Sequence, residues 1–103
     1  MEKSLVYRPL PEEVTIKQSK IHGLGLFAEQ NIPEGKELGI SHINDVRFEN
    51  DYIRTPLGGF INHSETPNCD FVLEGDFIHL ITLKDISSGE ELVTRYWGDW
   101  YKW

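Results

Sequence analysis

Between Phe60 and Cys69 the chain reads FINHSETPNC: an amide, an imidazole and a hydroxyl side by side, then a Thr-Pro-Asn turn and the sole cysteine. Asn62, His63 and Ser64 each carry donors and acceptors that need partners when buried, and Phe60 and Ile61 place the stretch against a core. It is therefore a satisfied structural knot or part of a site. A second stretch, HGLG at residues 22–25, has two glycines. Gly23 and Gly25 let main chain approach a ligand without an intervening Cβ, although a G-x-G alone reads more readily as a bend between strands. Metal chemistry is disfavoured, because one cysteine and no close His/Glu spacing around His42 or His79 leave no ligand set. His63 is expected to be structural and is not assigned as a general base. Asn62-His63-Ser64 also fits the N-glycosylation pattern, but no secretion signal precedes it.

Composition narrows the class. With 103 residues one domain spanning 1–103 is expected, large enough to bury roughly 60% of its unfolded surface without staples. Lone Cys69 excludes an intrachain disulfide and fits a reducing compartment. Ten Lys+Arg against seventeen Asp+Glu give a net charge of −7, which disfavours nucleic acid as a direct partner and favours a basic protein or peptide. No segment resembles a signal peptide or approaches the ~20 apolar residues of a membrane span. A soluble, intracellular protein is expected.

Strands and turns dominate the pattern that must position these residues. Residues 14–19, VTIKQS, alternate apolar with polar, as a half-buried strand does. Residues 71–83 are two apolar runs around Glu74-Gly75-Asp76, which predicts a hairpin with Gly75 at positive φ. Five dispersed prolines break long helices, and TPLGG at 55–59 reads as a loop. The motif I-x-x-G-x-E-L occurs twice, at 32–38 and 86–92. Each copy predicts a turn followed by a strand, with no function attached.

Three separated stretches, KIHGLGLFAEQNIPEGKEL (20–38), LGGFINHSETPNC (57–69) and ITLKDISSGEELVTRYW (81–97), resemble a SET domain, the fold of many protein-lysine methyltransferases. The resemblance implies a mainly β fold of small curved sheets with little helix. It also implies a threaded, knot-like crossing of the segment holding NHS beside the one holding EELVTRY, against the usual rule for chain connections. Polar groups at such a crossing need internal hydrogen bonds.

The implied activity is methyl transfer from S-adenosylmethionine to a lysine amine. The HGLG turn would hold the methionine end of the cofactor through the main chain of His22, Gly23, Leu24 and Gly25, and Asn62 and His63 match the family's Asn-His pair, which contacts the cofactor and braces the crossing. Tyr96 falls where the family places the tyrosine between lysine channel and methyl group. A lysine with an ordinary pKa near 10.4 must lose its proton to attack; burial beside a sulfonium lowers that value, and Tyr96 would orient the amine. Read as structure alone, Tyr96 would cap a sheet edge.

The chain departs from the family in several places. Ser41 or His42 stands near a position often held by tyrosine, Thr94 replaces another tyrosine, and Glu65 replaces a cysteine or phenylalanine. No zinc-binding cysteine segment accompanies the core, and the chain finishes with an aromatic tail at 97–103, WGDWYKW. Trp97, Trp100 and Tyr101, with Trp103, could stack on adenine and line the lysine channel, or form core or a homodimer contact. The rival to an enzyme is a catalytically silent SET-like module that binds a basic peptide or the cofactor.

Overall fold

A computed structural model describes residues 10–44 and 52–96. In chain order these contain β1 (Val14–Gln18), β2 (Leu24–Ala28), β3 (Glu37–Asn44), β4 (Tyr52–Arg54), α1 (Pro56–Gly59), β5 (Asn62–His63), β6 (Cys69–Glu74), β7 (Phe77–Thr82) and β8 (Glu91–Thr94). The fold is mainly β with little helix, as the sequence predicts. Two four-stranded sheets form, ordered β1-β2-β8-β5 and β4-β3-β7-β6.

Local sequence accounts for most elements. The β6–β7 hairpin turns at Gly75, whose φ of 63° is the left-handed conformation expected there. The predicted first strand stops at Gln18, because the Ser19 hydroxyl bends the chain by accepting the Ile21 N–H at 2.9 Å. The two copies of I-x-x-G-x-E-L lead into β3 and β8, and their isoleucines, Ile32 and Ile86, exchange paired main-chain hydrogen bonds of 2.8 Å. The reading of Thr55–Gly59 as loop is corrected: Pro56–Gly59 forms one helical turn. Pro56 presets φ at its start, and the N–H groups of Gly58 and Gly59 both donate to Thr55 O, at 3.0 and 2.8 Å.

Leu26, Ile32, Ile78, Leu80, Ile86 and Leu92 form a fully buried centre, joined by Phe71 and Cys69. Burial, with Glu90 and Asp70 nearby, pushes the Cys69 thiol up to about 12, so the group is an inert apolar filler. The buried Thr82 side chain enters this core with partners of its own. The Thr82 hydroxyl donates to Pro33 O at 2.7 Å and accepts from Lys36 N at 2.9 Å, fixing the turn before β3.

The crossing anticipated between NHS and EELVTRY is a short parallel pairing. Asn62 lies opposite Val93 and His63 opposite Thr94, on β5 and β8. Asn68 extends the seam beyond β5. Its side chain accepts from Val93 N at 2.8 Å and donates to Glu91 O at 2.9 Å, so an amide replaces a strand's backbone at this point.

Candidate functional site

The HGLG turn is built from both of its flanks. Ser19 N donates to Gly23 O at 2.7 Å, and Gly23 has a φ of 47°, which an L side chain adopts poorly. Gly25 is constrained differently: a Cβ there would collide with the Glu91 carboxylate and press on the Asn62 amide. The two glycines thus answer to a backbone angle and to a neighbour, respectively.

Asn62 clips this turn to the crossing. Its Nδ2 lies 3.2 Å from His22 O, 3.3 Å from Leu24 O and 2.9 Å from Glu91 Oε2. The Glu91 carboxylate also accepts the Ser19 hydroxyl at 2.9 Å. Three strands are tied here: β2 after the turn, β5 through Asn62 and β8 through Glu91. Glu91 and Ser19 carry no site assignment in the sequence. Their one signal is the second Glu of GEEL, which becomes meaningful only once β2 is known to pair with β8.

Tyr96 is anchored at both ends by β5 and the residue before it. Its hydroxyl donates to Ile61 O at 2.8 Å, and its main-chain N–H donates to His63 Nδ1 at 3.0 Å. The His63 and Tyr96 rings lie 5.0 Å apart, tilted by 59°. On its other nitrogen His63 meets Glu65, with Nε2 to Oε2 at 2.8 Å.

A cleft of about 310 Å³ separates the turn from the crossing. His22, Gly23 and Leu24 form one wall, Gly58 to Asn62 the other, and Arg54 and Tyr96 complete it. Of the residues singled out in the sequence, His22, Gly23, Leu24, Asn62 and Tyr96 therefore share one cleft. Gly25 and His63 are not part of this lining: Gly25 packs on Glu91 and His63 braces Tyr96. Trp97, Trp100 and Tyr101 lie outside the described residues. Arg54 and Phe60 join the lining without a sequence signal, since both are brought there by β4 and by the helical turn α1.

Ser41 and His42 do not line the cleft. Both are fully buried beneath Gly58, where a Cβ would strike Ser41 O and the His42 ring. The Ser41 hydroxyl donates to Ile78 O at 3.1 Å and its oxygen lies 2.9 Å from His42 Nδ1, which assigns the ring proton to Nδ1. Burial, with the Arg54 charge nearby, lowers the His42 pKa to about 4 and keeps the ring neutral.

Two four-stranded sheets, one of them ending in the parallel β8–β5 pair, with a glycine turn and a tyrosine facing one cleft, define a SET-type β-fold. The SET domain family model matches residues 41–97, more than half of the chain, and the chain belongs to that family. It is 31% identical over 90 residues to histone-lysine N-methyltransferase set9 of Schizosaccharomyces pombe, covering 87% of this chain and 20% of that protein. It is 29% identical over 69 residues to histone-lysine N-methyltransferase Suv4-20 of Caenorhabditis briggsae, covering 67% of this chain and 21% of that protein. The chain thus spans about a fifth of the length of these curated relatives. The methyltransferase domain of human PR domain-containing protein 2 shares the fold, with a TM-score of 0.68 at 24% identity, over 87% of this chain and 80% of that one.

Proposed function

We propose that residues 1–103 act as one domain transferring a methyl group from S-adenosylmethionine to the side-chain amine of a lysine in a protein substrate. The observation that carries this reading is the position of Tyr96: at the cleft, with its hydroxyl donated to Ile61 O, opposite the turn clipped by Asn62. Membership of the SET family and relatives named as histone-lysine N-methyltransferases support it. The residues present fit such a cofactor. The cleft volume falls at the small end of the range for ligand sites, and Gly23 and Gly59, where an added Cβ would meet open space, leave main chain uncovered on either wall. When bound, S-adenosylmethionine supplies an electrophilic methyl group on a sulfonium. His22, Gly23, Leu24 and Asn62 would hold it.

The chain's own residues would then act by position and charge. With its proton directed to Ile61 O, the Tyr96 hydroxyl would turn its oxygen, as an acceptor, towards an N–H of the incoming amine and so aim the nitrogen lone pair at the methyl. Arg54 adds a positive charge to the cleft, which disfavours a protonated lysine there. The methylated amine would release its extra proton to solvent. A net charge of −7 suits a basic, lysine-bearing substrate segment. The aromatic residues Trp97, Trp100 and Tyr101 would close the adenine side or hold a second copy. A radiolabelled methyl-transfer screen over lysine-rich proteins, run beside Tyr96→Phe, tests the reading. Label on lysine, reduced or changed in methyl number by the variant, is expected; cofactor binding with no transfer to any protein would leave a silent binding module instead.

A further inference from the structure

His63 grips Tyr96 through the nitrogen that must carry no proton. Nδ1 accepts the Tyr96 main-chain N–H at 3.0 Å, so the neutral ring has its hydrogen on Nε2. That nitrogen lies 2.8 Å from Glu65 Oε2. The opposite tautomer would set N–H against N–H at Tyr96 and leave Glu65 facing a bare nitrogen lone pair. The bond to Tyr96 is therefore available in only one of the two neutral forms of the ring.

From this geometry we propose that Glu65 is a positioning residue for Tyr96: by accepting Nε2–H it selects the His63 tautomer that holds the tyrosine's main chain, and so keeps the ring at the cleft. Ile61 and His63 lie two residues apart and grip Tyr96 at its hydroxyl and at its N–H, so loosening one end releases the ring to pivot about the other. Its His63 hydrogen bond first, and Arg95 second, hold the Glu65 carboxyl below the usual carboxylate range, which keeps it an acceptor through neutral pH. Arg95 lies 3.1 Å from Glu65 Oε1, but both side chains are mostly exposed and the pair adds little.

The inference rests on the catalytic reading of Tyr96, and the test separates the two. Imidazole ¹⁵N spectra of the full chain, recorded above the titration range of histidine, read the His63 tautomer without any activity. Wild type should show Nε2–H, Glu65→Ala a mixture, and Glu65→Gln a return to Nε2–H, because the amide oxygen accepts the same hydrogen bond. Where methyl transfer is measurable, Glu65→Ala should lower kcat about fivefold, the factor of one net hydrogen bond, with KM for cofactor and substrate unchanged; Glu65→Gln should restore it and Arg95→Ala should have no effect. An unchanged tautomer in Glu65→Ala overturns the proposal, as does Arg95→Ala reproducing the loss. A full turnover in Tyr96→Phe overturns the catalytic reading instead, leaving the tautomer result to stand.

Discussion

The two copies of I-x-x-G-x-E-L make the same turn and put their glutamates to different use. In the first copy Glu37 is more than half exposed and reaches His79 Nδ1 at 2.6 Å, on the outside of its sheet. In the second, Glu91 is tucked against Gly25 and takes hydrogen bonds from Ser19 and Asn62. The turn is encoded locally, but the role of the carboxylate is set by what passes beside it. β3 pairs with β4 and β7, whereas β8 is flanked by β2 and β5 and so meets both the glycine turn and the Asn-His segment.

Removing the two carboxylates separately breaks this comparison most sharply. Glu91→Ala strips an ionised acceptor from a partly buried hydroxyl and amide and should cost ~3 kcal/mol, the upper range for hydrogen bonds to a charged group. Asn62→Ala removes the same clip from the other side and should cost ~2 kcal/mol. Urea unfolding of each variant reads both values, and a loss below half of either expectation would show the clip to be solvent-accessible.

The strand that follows the first copy carries its own buried polar group, and its contribution is read by pH. The His42 pKa is lowered from 6.5 to about 4 in the folded protein, so the unfolded chain binds more protons across that window. Stability should therefore be complete above pH 6.5 and fall as pH drops towards 4, by on the order of 2 kcal/mol. His42→Leu should flatten this acid limb in urea titrations; an unchanged slope would assign the loss to other groups. The smallest effect is expected at the first copy itself. Glu37→Ala should cost less than ~1 kcal/mol, because its contact with His79 is made by a side chain more than half exposed to solvent.

Legibility follows the same division between local and distant causes. The hairpin at Gly75, both I-x-x-G-x-E-L turns and the strand from Val14 could be read because residue types at fixed offsets dictate them. The meeting of NHS with EELVTRY was legible only through family resemblance, since no local pattern specifies a parallel pair of two residues. The helical turn at Pro56–Gly59 was missed, as four residues are too few to show a helical period. Glu91 carries no local signal, because Ser19 and Asn62 lie 72 and 29 residues away in the chain. Asn68 is silent for the same reason: its amide has the character of an ordinary turn residue until Val93 lies beside it. Arg54 reaches the cleft from a three-residue strand whose sequence carries no sign of a ligand.

Calorimetric titration of S-adenosylmethionine into wild type, Glu37→Ala and Asn62→Ala tests most directly whether the second copy's clip shapes a cofactor cleft. Binding is expected in wild type, with the same affinity in Glu37→Ala and a loss of about tenfold, or 1.4 kcal/mol, in Asn62→Ala. No binding to the folded wild-type chain, or equal affinity in Asn62→Ala, would contradict the account.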